Sequence, residues 1–183
     1  MPSKNTGDFI AALDLGSNSF HLIVARRNDV GYQVIDKHKE TVRLASAFDE
    51  QGNLKREAIG KAVKALERLG ERVRKIPSRN LRIVGTNTMR KAKNADVLIE
   101  AAERVLGHSV DVIAGAEEAR LIFSGVTRGL NLEDRKYFVI DIGGGGQLAT
   151  GGNTTGHKTF IHFRGQIGPG RVNGGGMAGR TAA

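Results

Sequence analysis

The sequence has no cysteine and no tryptophan, only three prolines, and few aromatics, two tyrosines and seven phenylalanines among 183 residues. Without cysteine, neither a disulfide framework nor a thiolate metal site can form. No run of 18 apolar residues occurs, and the first eight residues lack the apolar core of a signal peptide, so the expectation is a soluble, cytoplasmic protein with no membrane partner. Acid is missing from one region: residues 143–183 hold no Asp or Glu, yet four basic residues and 14 of the 25 glycines. The formal net charge is +9, a balance that attracts polyanions such as polyphosphate or nucleotides. So few aromatics, and no basic run with stacking residues interleaved, argue against specific nucleic-acid binding.

What is present is organised around Phe9-Ile-Ala-Ala-Leu-Asp14-Leu-Gly16-Ser17-Asn18-Ser19. An apolar run ends in an acid, a glycine and three small polar residues, and Phe20 to Ala25 resumes the apolar run. The pattern predicts a buried strand, a tight turn and a returning strand. Gly16 allows close backbone approach, and Ser17 and Asn18 offer hydroxyl, amide and main-chain donors, which suits a phosphate. Asp14 at the strand end is placed for a metal ion or a water. Tyr137-Phe-Val-Ile-Asp141-Ile-Gly143-Gly144-Gly145-Gly146 repeats the scheme, which suggests two related halves around one ligand. The alternative is two ordinary turns whose acids cap nearby N–H groups.

Between these turns, Tyr32–Asp36 reads as a third strand and residues 41–45 as a further strand or strand edge. Helical spacing of Ala58, Ile59, Ala62, Val63, Leu66, Leu69, Val73 and Ile76 predicts a helix over 55–76, stopped by Pro77. A strand over 81–86, a polar basic stretch over 87–94, a helix over 95–106, a strand over 110–113 and a helix from Gly115 follow. Glu117 and Glu118 open that last helix. They serve either the helix dipole or, beside a phosphate pocket, as a general base. Arg90 and Arg120 either ligate a phosphate bidentately or sit in ordinary ion pairs. The alternation of strands and helices predicts an α/β fold with a mixed sheet.

Four segments together resemble the Ppx/GppA (exopolyphosphatase/guanosine pentaphosphate phosphohydrolase) family: Asp14 to Phe20, Gly85-Thr-Asn-Thr-Met-Arg90-Lys-Ala-Lys-Asn94, Ile113-Ala-Gly-Ala-Glu117-Glu118-Ala-Arg120-Leu-Ile, and Val139-Ile-Asp141-Ile-Gly-Gly-Gly145. The resemblance implies an actin-like (ribonuclease H-like) two-domain fold of the actin–hexokinase–Hsp70 kind, with the active site between domains. It implies a phosphatase that hydrolyses terminal phosphoanhydride bonds of inorganic polyphosphate or guanosine pentaphosphate with Mg²⁺, and a homodimer for a full-length relative. Carried onto this chain, it makes Glu118 the catalytic base and Asp14 and Asp141 the acids near metal and water. Gly16, Ser17, Asn18, Arg90, Gly143, Gly144 and Gly145 become the phosphate contacts. A sugar or acetate-type kinase of the same fold, and a module that senses polyphosphate or (p)ppGpp without hydrolysis, are the alternatives.

The resemblance divides the chain into a flexible 1–8, a first actin-like domain over 9–128 and the start of a second over 129–146. The family's Ser-Thr-Glu after three glycines is replaced by Gly146, Gln147 and Leu148. The expectation for 147–183 is a disordered Gly-rich tail, out of the family's reading frame from about Gly145, leaving the second domain truncated and the activity of this chain open.

Overall fold

The computed structural model describes residues 9–29, 31–128, 136–143, 146–153 and 158–161. A five-stranded sheet of order β3-β2-β1-β4-β5 forms its centre. Its strands are β1 (Phe9–Leu15), β2 (Ser19–Asn28), β3 (Gly31–Thr41), β4 (Leu81–Gly85) and β5 (Asp111–Val112). β1, β2 and β3 pair antiparallel, whereas β4 joins β1, and β5 joins β4, in parallel. This mixed sheet, with its helical crossovers, is the actin-like α/β arrangement that the sequence predicts.

Alternation sets the two faces. Ala11, Leu13 and Leu15 of β1 and Phe20, Leu22 and Val24 of β2 are buried in one core, as period-2 patterning requires. Against them lie α1 (Arg56–Val73) and α3 (Ala95–Leu106), through Ala62, Leu66, Leu69, Leu98 and Ala102, each at most 1% exposed or fully buried. Gly107 in the left-handed region (φ 69°) closes α3, its N–H donating to the Glu103 carbonyl. The opposite face of the sheet is open, and a shallow groove of about 590 Å³ runs over Ile10, Ala12, Ile23 and Arg82.

One local expectation is corrected. Thr41 ends β3, but residues 42–45 do not extend the sheet: Arg43 takes φ 55°, a 3₁₀ turn spans Leu44–Ser46, and the segment bonds back to the first turn instead. The polar, basic stretch 87–94 contains the short helix α2 (Asn87–Lys91).

After α4 (Gly115–Arg128), the strands β6 (Lys136–Gly143), β7 (Gly146–Asn153) and β8 (Lys158–Ile161) form a separate antiparallel sheet on which α4 packs. The expectation of an irregular tail from 147 is thereby corrected for β7 and β8: the Gly-rich sequence still offers Leu148, Ala149 and Thr150 to β6 in register with Asp141, Ile140 and Val139. Residues 1–8, 154–157 and 162–183, on which the other tail expectations fall, lie outside the described residues. Among the described residues no helix is long and apolar enough to cross a membrane.

Candidate active site

Asp14 ends β1, opposite His21 of β2 and Val84 of β4. Among the described residues its Oδ1 is buried and has no hydrogen-bond partner, a costly state that a bound cation or water would relieve. Burial first, then the charges of Glu118 and Asp141, push its pKa up to about 6.

The turn after Asp14 is held by its carbonyls. Asn18 O accepts from the amides of Val42 and Arg43, and Ser17 O from that of Ala45, each at 2.9 Å. Among the described residues nothing accepts from the Ser17 and Asn18 amides, which leaves them for a ligand. Gly16 is obligatory here: a Cβ would lie 2.8 Å from Ser19 O and 3.7 Å from Asp14 Oδ2. Ser17 is buried, while Asn18 is exposed.

Arg90 reaches in from α2. Its Nη1 donates to Ile113 O at 2.6 Å and its Nη2 to Glu118 Oε2 at 2.9 Å, with both side chains less than a quarter exposed. The Ile113 amide in turn donates to Gly85 O, so the ends of β4 and α2 and the start of α4 are tied at one place. In this structure Arg90 makes an ion pair with Glu118. Arg120 pairs with Glu117 through two bonds of 2.7 Å. Glu117 and Glu118, adjacent in sequence, thus have different partners.

Asp141 on β6 is exposed and reaches the site through its charge on Asp14. Gly143 ends β6, paired with Gly146 across the hairpin; Gly144 and Gly145 lie outside the described residues. The structure thus brings Arg90 of α2 and Glu118 of α4 to the end of the first sheet, where Asp14, Gly16, Ser17 and Asn18 lie, and Asp141 of the second sheet acts on Asp14 through its charge.

Two contributors were missed by sequence reasoning. Asn94 accepts from the Leu54 amide at 2.8 Å and donates to the Leu54 carbonyl at 3.1 Å, clamping the loop before α1 to the start of α3. Its only signal was its place at the end of the Arg90 segment. Arg43, in the left-handed region, clamps the phosphate turn through its amide, and nothing in its residue type announces that.

For a divalent cation the fit is favourable but sparse. Among the described residues no cluster of three or more Asp, Glu, His or Cys could hold a metal. The orphaned Asp14 Oδ1 and the Asp141 charge are the donors available, and Mg²⁺ is commonly held by one or two carboxylates, with substrate phosphates and water completing its shell.

Comparison with known proteins agrees with this constellation. The profile of the Ppx/GppA phosphatase family matches residues 23–160. The guanosine-5′-triphosphate,3′-diphosphate pyrophosphatase of Aliivibrio fischeri is 43% identical over 144 residues, 79% of this chain and 29% of the relative. That of Vibrio atlanticus is 46% identical over 134 residues, 73% of this chain and 27% of the relative. Among solved structures, an exopolyphosphatase from Cytophaga hutchinsonii superposes with a TM-score of 0.77 at 28% identity, over 86% of this chain and 51% of that one. The Aquifex aeolicus Ppx/GppA family member gives 0.74 at 26% identity, over 85% and 51%. The chain spans under a third of these curated relatives and about half of these solved ones. It belongs to the Ppx/GppA phosphatase family.

Proposed function

We propose that residues 9–128 form the first half of a phosphatase cleft, begun on its other side by β6, that hydrolyses a terminal phosphoanhydride bond of inorganic polyphosphate or guanosine pentaphosphate. The observation that carries this is the Glu118 carboxylate, pinned by Arg90 at 2.9 Å and close enough to Asp14 for its charge to raise the Asp14 pKa. A base, a buried unpartnered acid and a turn with open amides are thereby gathered at one sheet end.

The terminal phosphate sits against the Ser17 and Asn18 amides, and Gly143, Gly144 and Gly145 are assigned as further phosphate contacts by the family motif alone. Glu118 takes the proton of a water as its oxygen forms a bond to the terminal phosphorus. The bridging P–O bond breaks, and the shortened chain leaves with the bonding electron pair. Arg90 holds the Glu118 carboxylate in place and offers positive charge at the same spot. Asp14 and Asp141 are the residues that would hold Mg²⁺, which when bound supplies positive charge against the phosphate oxygens. Most of the rate gain comes from positioning and electrostatics, as is general for phosphoryl transfer.

The test is orthophosphate release by the 183-residue chain with Mg²⁺, on polyphosphate and on guanosine pentaphosphate, for wild type and Glu118→Gln. Glutamine keeps an oxygen for Arg90 but cannot take a proton. Release is expected to fall about 100-fold or more, with substrate binding retained. Unchanged release would remove Glu118 from the mechanism; binding without release by the wild type would make the chain a sensor.

A further inference from the structure

The two faces of β3 differ in charge. Asp36 and Glu40 lie toward α1, where Arg72 and Arg68 neutralise them at 3.0 and 2.7 Å. Lys37 and Lys39 alternate to the open face, opposite Ile23 and His21 of β2, and within the described residues neither has an ion-pair partner. His21 lies directly opposite Asp14, so Asp14, His21 and Lys39 form one row across three strands. Where β3 ends, Arg43 is exposed, unpaired among the described residues, and bonded through its amide to Asn18 of the phosphate turn. Its φ of 55° is a conformation that glycine adopts more freely than arginine. The open face of β2 and β3 carries no acid.

We propose that Lys37, Lys39 and Arg43, with His21 between them and Asp14, bind the distal phosphates of a linear phosphate chain whose terminal group occupies the Gly16–Asn18 turn. This rests on the phosphatase reading and extends it to the substrate. Two strand spacings of about 4.8 Å separate β1 from β3, so the strip begins about 10 Å from Asp14, and a ligand of two phosphates held at the turn does not reach Lys37. The strip lacks the stacking residues a single-stranded nucleic acid would use. Tyr32, at its far end, is engaged by Arg27, whose guanidinium lies 5.7 Å from the ring centre. A bare phosphate chain is the polyanion that fits.

The experiment measures binding of long-chain polyphosphate and of pyrophosphate to the 183-residue chain, for wild type, Lys37→Gln/Lys39→Gln and Arg43→Gly. Thermal melts confirm folding; the lysines are exposed, and glycine suits position 43. The expected result is about tenfold weaker binding of the long chain in the double lysine variant with its pyrophosphate affinity unchanged, and a smaller loss of long-chain binding in Arg43→Gly. Long-chain affinity within twofold of wild type would overturn the proposal, as would equal losses for both ligands. So would a single-stranded RNA of matched phosphate number that binds as tightly and loses as much. Arg90→Ala separates the two readings: pyrophosphate binding that survives it intact sinks the terminal-phosphate site, and the strip's assignment with it, whereas a weakened one leaves the strip to be judged by the lysine variants.

Discussion

At the scale of residues, Asp14 links the site to stability. Its native pKa of about 6 lies above the ordinary 3.8, chiefly through burial, so the native state holds this proton more tightly than the unfolded chain does. Such an acid favours the fold while protonated and loses that contribution as pH rises from about 4 to 6, by up to about 3 kcal/mol. Denaturant melts between pH 4 and 7 should therefore show wild type losing stability relative to Asp14→Asn across that window and running parallel to it above. Mg²⁺ at pH 7 should raise the melting temperature of wild type and not of the variant. A pH slope identical in the two proteins would mean that Asp14 titrates normally. Gly16→Ala has the plainer outcome. Its Cβ would collide with a backbone oxygen, Ser19 O, so a loss of about 1–3 kcal/mol is expected, together with weakened phosphate binding.

At the scale of elements, legibility follows the range of the forces. The period-2 run of β1 and β2 and the 3.6-residue spacing of α1 were readable because each buries a continuous apolar face whose spacing is local. The turn of Arg43 was not, since it exists only to satisfy the carbonyls of Ser17 and Asn18, remote in sequence. Asn94 escaped notice for the same reason: its two bonds cross 40 positions to Leu54. Asn94→Ala should cost about 1–3 kcal/mol, since it leaves Leu54's backbone groups short of partners; a loss under 0.5 kcal/mol in denaturant melts would show that water replaces them. Of the site, Asp14, Gly16 and the turn were legible from residue types alone. Glu118 needed family resemblance, because an acid in a helix's first turn looks the same whether it serves the dipole or the substrate. The Arg90 contact gives Glu118 a different setting from Glu117, and the Glu118→Gln assay tests which role it has.

At the scale of the whole molecule, stability is unevenly shared, and α4 sits where the inequality matters. The first sheet owns a core that draws on β1, β2 and β4 and on α1, α2 and α3. The second has three strands, and β7 draws three of its eight residues from glycine; a small sheet of that kind depends on a helix packed against it. α4 supplies that helix, with Ala119 and Phe123 buried, and its first turn carries Glu118. Loosening the second sheet should thus disturb the base as well as the strands. Thr150, 2% exposed with its hydroxyl unpartnered among the described residues, marks the weakness from the other side: Thr150→Val should stabilise the second sheet by about 1 kcal/mol. In hydrogen exchange, β6 and β7 amides are expected to exchange well before those of β1 and β4, through opening of the second sheet alone. Thr150→Val should slow that exchange and leave β1 untouched, and Phe123→Ala should speed it. If β1 and β6 exchange together in all three proteins, the two sheets unfold as one unit, and α4 is an ordinary part of a single core.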